Sequence, residues 1–159
     1  SELPDVAAEF TFRRGRDAGF APVEGGIANG LSGLVGTLPV QTQPDAQMMV
    51  TSDFRVDANG LFCTGVLGMA RSGDPNSANS QFFLMMAPNG ILNGQYTAFG
   101  RILQGLDVVQ SLKAGPEAED GRVAEDPDIM TRVRTAAALP EGERLTARVL
   151  DARSAAFQA

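Results

Sequence analysis

Glycine and proline interrupt this chain so often that its apolar residues fall into short runs. Eighteen glycines and nine prolines are spread over 159 residues, a distribution that favours strands joined by turns over a bundle of long helices. Phe10–Arg14 is compatible with a strand, and residues 19–26 ("GFAPVEGG") with a second one interrupted near Pro22. Residues 27–60 show no clear period and read as an extended loop with a short strand around Met48–Thr51. The run 61–70 ("LFCTGVLGMA") has the length of a buried strand. In the next run, "QFFLMMA", strand alternation places Gln81, Phe83 and Met85 on one face and Phe82, Leu84 and Met86 on the other.

Asn93-Gly94 marks a tight turn and "TAFGRIL" a further strand. A short helix follows in "GLDVVQSLKAG", with Leu106, Val109 and Leu112 on one face, Lys113 in the last turn and Gly115 placed as the C-cap. An acidic loop carries Glu117, Glu119, Asp120, Glu125, Asp126 and Asp128, without the ligand spacing of a calcium loop. The runs "DIMTRVRT" (128–135) and "RLTARVLDA" (144–152) alternate as half-buried strands do. There is no internal repeat, and the length fits one domain over residues 10–153, with terminal segments at 1–9 and 154–159.

Composition matters mainly for what it excludes. The chain has no histidine, which removes Ser-His-Asp and Cys-His catalysis and most zinc sites. Its net charge of -6 argues against a nucleic-acid or anionic-membrane surface, since both need a basic patch. Cys63 is the single cysteine and reads as a small buried hydrophobe. No stretch approaches the roughly 20 apolar residues of a membrane span, and the start of the chain lacks a basic segment followed by an apolar one. The compartment stays open: cytoplasmic, or periplasmic if an export signal has been removed.

Residues 69–86 contain "MARSGDPNSANSQFFLMM", followed from Ile91 by "ILNGQYTAFGRILQGLDVVQSL". This succession resembles the core signature of cyclophilin-type peptidyl-prolyl cis-trans isomerases, especially bacterial ones. In that family a Met-Ala pair leads into a Gly-, Pro- and Asn-rich loop, then Ser-Gln-Phe-Phe, a Leu-Asp-Gly turn, a Phe-Gly strand and a Val-Val helix. Asn93 stands here for the usual aspartate. The match spans about residues 61–113, and several unrelated positions coincide at fixed offsets.

The resemblance implies a mainly β fold, a closed or partly open β-barrel with at least one short helix, and a pocket for the proline ring of a substrate. Gln81 matches the pocket glutamine, Phe83 the aromatic floor, Leu92 an apolar wall, and Tyr96 the position of a histidine or tyrosine. Ile91 falls where some members have tryptophan. Met69, Ala70 and Arg71 match the loop that touches the residue before the proline. The family's catalytic arginine lies in a Phe-x-Arg pattern followed by Gly-Phe and Gln-Gly-Gly. Here "FRRGRDAGFAPVEGG" makes Arg14 the first choice and Arg16 the alternative, with Phe20 beside the ring and Glu24 in place of the glutamine that orients the guanidinium. Two strands and a helix normally precede that segment. Nothing before Phe10 supplies them, so either the two closing runs take part of their place or the chain is a fragment of a longer product.

The implied reaction needs no metal and no cofactor. An arginine donating to the prolyl nitrogen would stabilise its lone pair in the twisted transition state. Implied partners are proline-containing peptides or unfolded proteins, with cyclosporin-like ligands as a further class; no nucleic acid or membrane is expected. The alternative is a catalytically weak proline-peptide binding or chaperone module of the same fold.

Overall fold

A computed structural model describes residues 3–23 and 30–158. The chain divides into two compact units, one from Ser1–Ile102 with Val149–Ala159 and the other from Leu103–Arg148. The first unit carries two antiparallel sheets. One has five strands: β1 (Phe12–Arg14), β2 (Phe20–Pro22), β3 (Leu31–Val35), β4 (Leu38–Thr42) and β5 (Val56–Gly60), in the order β1-β5-β4-β3-β2. The other has three: β6 (Val66–Met69), β7 (Phe82–Leu84) and β8 (Ala98–Arg101), in the order β7-β6-β8. The mainly β expectation stands, and the closed barrel is corrected: the described strands pair into two separate sheets.

The segment read as an extended loop holds most of the five-stranded sheet. β3 and β4 form a hairpin, Leu31 opposite Thr42 through Val35 opposite Leu38, and Gly36 takes the turn at φ 59°. Glycine hides the strand pattern here. A side chain at Gly33 would meet the Phe20 ring, so a neighbouring strand supplies the apolar bulk that the local sequence lacks. The strand expected around Met48–Thr51 is instead a 3-10 turn over Asp45–Val50, with Met48 buried and Met49 and Val50 exposed.

The 61–70 run forms strand only from Val66. Before it the backbone curls, with the Cys63 N–H on the Leu61 carbonyl and the Val66 N–H on the Cys63 carbonyl. In the second unit the expected helix is present as α1 (Leu106–Gln110), capped at Ser111 and not at Gly115. Lys113 lies beyond it; its ammonium pairs with Asp126 at 2.6 Å and its backbone N–H donates to Asp128. Neither closing run is a strand. Ile129, Met130 and Val133 stay largely exposed, as do Leu145, Val149 and Leu150, because alternation alone makes no strand without an edge to pair with.

Strand alternation divides the two arginines of β1. Arg13 points out and pairs with Asp53 and Asp57, each at 2.7 Å. Arg14 points in and is 1% exposed. Its Nε donates to the Thr42 hydroxyl (2.9 Å), and Nη2 donates to the Gln43 carbonyl (3.1 Å) and to Asp45 (2.6 Å). The guanidinium carbon also sits 4.5 Å over the Phe20 ring. One side chain thus joins β1, β4, the turn after β4 and β2, and a buried cation is tolerable only because its donors are matched in this way.

Two outcomes follow. Asp45→Ala leaves the Arg14 charge with neutral acceptors only among the described residues and is expected to destabilise the protein by about 1–3 kcal/mol in denaturant unfolding, towards the lower end because Asp45 is itself half-exposed. The Arg13 hydrogen bond holds the Asp53 carboxyl at about 2, below the usual aspartate range. A lowered carboxylate pKa contributes stability above its unfolded value, and this is lost as pH falls through about 2. An NMR titration of the Asp53 carboxyl checks it; an ordinary midpoint would mean the pair does not persist in solution.

Candidate functional site

β6 is the middle strand of the three-stranded sheet, and at Gly68 it has no side chain. A Cβ there would lie 2.6 Å from Phe62 and collide with Phe83, so the two rings occupy the space above bare backbone. Phe83 stands directly opposite Gly68 in the β6–β7 register. The Phe62 and Phe83 centroids are 5.5 Å apart, and Tyr96 meets both edge-on, at 6.5 and 5.6 Å. Such T-shaped contacts match the positive edge of one ring to the negative face of another. Phe62, Val66 and Met85 form the buried core, and Phe83, Leu92, Tyr96 and Cys63 pack half-buried against it.

The segment that brings Leu92 and Tyr96 to these rings is fixed through Phe62. The Asn89 N–H donates to the Phe62 carbonyl at 2.9 Å, and the Phe62 N–H donates to the Asn93 side-chain oxygen at 2.8 Å. Asn89 also caps the 3-10 turn Gly90–Leu92 by accepting from the Ile91 N–H, and Gly94 takes φ 68° to turn the chain back. An acceptor oxygen is all that Phe62 requires at position 93, which explains why asparagine serves where aspartate is usual.

The rim is built from main-chain pairs. Met69 lies opposite Phe82, the Ala70 N–H donates to the Gln81 carbonyl at 3.0 Å, and the Met69 N–H donates to the Thr97 carbonyl at 3.0 Å. The Gln81 side chain is exposed and makes no hydrogen bond among the described residues. The Arg71 guanidinium lies 4.6 Å from the Tyr96 centroid and 5.4 Å from that of Phe10.

The structure therefore brings Phe83, Leu92 and Tyr96 together, with Met69, Ala70 and Gln81 joined at the adjoining strand ends and Arg71 against Tyr96. Other expected members lie elsewhere. Ile91 is 84% exposed. Arg14 and Phe20 are partners of each other on the five-stranded sheet, and no hydrogen bond, ring contact or cation–π contact among the described residues links them to Phe83, Leu92 or Tyr96. Arg14, the first choice for the catalytic position, is buried, with its charge matched by the Asp45 carboxylate and by the Thr42 and Gln43 oxygens. Arg16 is exposed in a 3-10 turn and lines a separate cavity of about 480 Å³ with Met48, Met49 and Phe54. Glu24 lies outside the described residues.

Phe62 is the pocket residue that sequence reasoning missed, since a continuous apolar run conceals which member turns inward. Phe10, read as the start of a strand, stacks on Arg71 instead. Among the described residues, no group of three or more acidic or cysteine side chains is placed to hold a metal ion, and no helix is long and apolar enough to cross a membrane.

Comparison with known proteins places this arrangement. Residues 22–135 match a family model described as cyclophilin type peptidyl-prolyl cis-trans isomerase/CLD. The matched stretch contains the whole aromatic pocket and neither Arg14 nor Arg16. A probable peptidyl-prolyl cis-trans isomerase of Brucella abortus (strain 2308) is 54% identical over 67 residues, which cover 42% of this chain and 34% of that protein. A peptidyl-prolyl cis-trans isomerase of Acinetobacter baylyi is 41% identical over 70 residues, covering 40% and 37%. The crystal structure of cyclophilin AquaCyp293 from Hirschia baltica superposes with a TM-score of 0.78 at 32% identity, over 91% of this chain and 53% of that one. The matches span just over a third of these two curated relatives and about half of the solved structure.

Gly68→Ala tests whether the ring cluster is built on bare backbone. The added methyl displaces Phe62 and Phe83 together, with an expected loss of about 1–3 kcal/mol and broadening of the Phe83 and Tyr96 ring signals in NMR spectra. Unchanged ring shifts would show that the cluster does not depend on this position.

Proposed function

Because the chain belongs to the family of cyclophilin-type peptidyl-prolyl cis-trans isomerases, we propose that it catalyses rotation about X-Pro bonds in peptides and unfolded proteins and so assists protein folding. The observation that carries this reading is the cluster of Phe62, Phe83 and Tyr96 beside Leu92, on a sheet whose next strand begins just after the exposed Gln81. Proline is an apolar ring without an N–H donor, so an aromatic wall with a polar group at its rim suits it.

Isomerisation is slow because the amide C–N bond has partial double-bond character, with a barrier of roughly 18–20 kcal/mol. No bond is made or broken. A catalyst need only bind the twisted, deconjugated amide better than either planar form. Phe83 and Leu92 would grip the pyrrolidine ring while the acyl side turns. The Gln81 side chain, without a hydrogen bond among the described residues, would hydrogen-bond the substrate backbone, and the Ala70–Arg71 main chain would meet the residue before proline. Proline-containing segments of unfolded chains are the proposed partners, and cyclosporin-like ligands would compete for the same walls.

A second reading is favoured by one observation, the burial of Arg14. While Arg14 is held by Thr42, Gln43 and Asp45, its charge is withdrawn from any substrate. The pocket would then bind proline segments and catalyse weakly. In this reading the aromatic walls confer affinity and no cation assists the prolyl nitrogen.

Exchange NMR on a short X-Pro peptide separates the two. Under the catalytic reading the protein accelerates exchange, and Phe83→Ala lowers the effect by at least about tenfold. Under the second, the peptide binds through Phe83 with little acceleration, and Asp45→Asn, which loosens the hold on Arg14 without removing the acceptor atom, raises the rate. Absence of both binding and acceleration would remove the proposal.

A further inference from the structure

Arg71 differs from the other arginines in what its donors do. Nε and Nη2 both donate to the Gln95 carbonyl, at 3.1 and 3.0 Å, and Nη1 donates to the Ser72 carbonyl at 2.8 Å. The guanidinium plane lies against Tyr96, the residue immediately after Gln95, and also against Phe10. One planar group therefore holds both the backbone and the ring of the Gln95–Tyr96 segment, and ties them to the 70–79 loop and to the chain before β1. Three of its five N–H donors are committed to main-chain carbonyls.

We propose that Arg71 is a positioning residue: it fixes the Tyr96 ring edge-on to Phe83 and Phe62 and thereby sets how tightly the pocket holds a proline ring. The ligand in this statement rests on the function proposed above; the clamp itself does not. Tyr96 reaches Phe83 at 5.6 Å only if its ring stays upright at 89° to that ring. Within the ring cluster, two edges fix that orientation on one side, and on the other the Arg71 cation holds the ring by charge–quadrupole attraction. Lysine cannot substitute, because a point ammonium neither stacks as a plane nor donates twice to one carbonyl.

The chain contains one tyrosine and no tryptophan, so the tyrosine band of the near-ultraviolet circular dichroism spectrum reports on Tyr96 alone. Arg71→Ala and Arg71→Lys are both expected to lose most of that band. Both should weaken binding of an X-Pro peptide by about three- to thirty-fold. Far-ultraviolet spectra and thermal unfolding establish that each variant is folded, and Arg71→Lys keeps the aliphatic stem should the alanine variant fail. An unchanged tyrosine band in a folded variant overturns the proposal. A lysine variant that matches the parent does so too, as does a slower exchange rate at full affinity, which would make Arg71 catalytic. If the parent binds no proline peptide the function proposed above fails, while the tyrosine band still decides the clamp.

Discussion

The aromatic cluster exists because one residue of a central strand has no side chain. Gly68 lies between β7 and β8, and the space over its backbone is taken by Phe62 and Phe83 from two different segments. A side chain of any size at that position would separate the rings, and with them the edge contacts that hold Tyr96. The core of this sheet and the ring cluster are thus one object: Phe62 is 2% exposed and belongs to the interior, while Phe83 and Tyr96, in contact with it, are half-buried. Packing that stabilises the sheet also orients the pocket, and the two hydrogen bonds between Phe62 and the 89–93 turn make the coupling directional.

The five-stranded sheet is organised around a charge. Arg14 takes the inward position on β1, where alternation would otherwise ask for an apolar residue. It is accommodated by a hydroxyl, a carbonyl, a carboxylate and an aromatic face from three segments. Removing such a partner is costlier than an exposed ion pair would suggest, because the charge left behind has no water. The adjacent Arg13, outward on the same strand, forms pairs of similar length with Asp53 and Asp57 in solvent, where screening leaves them little net effect.

Legibility of the sequence followed how local each cause was. The face shared by Phe83 and Met85, the turn at Asn93-Gly94 and the short helix after Gly105 depend on neighbours within a few residues, and their patterns were readable. The β3–β4 hairpin was not, since Gly33 owes its place in a strand to a ring from β2, and periodicity counts only the residues in the window. The runs at 128–135 and 144–152 failed for the opposite reason: their alternation was local and regular, but strand formation needs a paired edge. For the candidate site, Gln81, Phe83, Leu92 and Tyr96 came from a contiguous signature. Phe62 and Phe10 did not, because each turns towards the site through a bend that no period announces.

The two guanidiniums that touch aromatic rings show how similar chemistry comes to different ends. Arg14 and Arg71 lie at nearly equal distances from a ring, 4.5 and 4.6 Å, and both donate to backbone carbonyls. Arg14 also has a carboxylate at 2.6 Å and no solvent, so its charge is cancelled and its contribution is to one sheet. Arg71 is half-buried and among the described residues has only neutral acceptors, so its charge is directed at the ring face, where the attraction of a cation for an aromatic quadrupole is least diluted. What separates them is the presence of a counterion. A cation matched by an anion behaves as a strut, whereas one matched by carbonyl and ring alone continues to polarise the wall it touches, and in this molecule that wall is Tyr96.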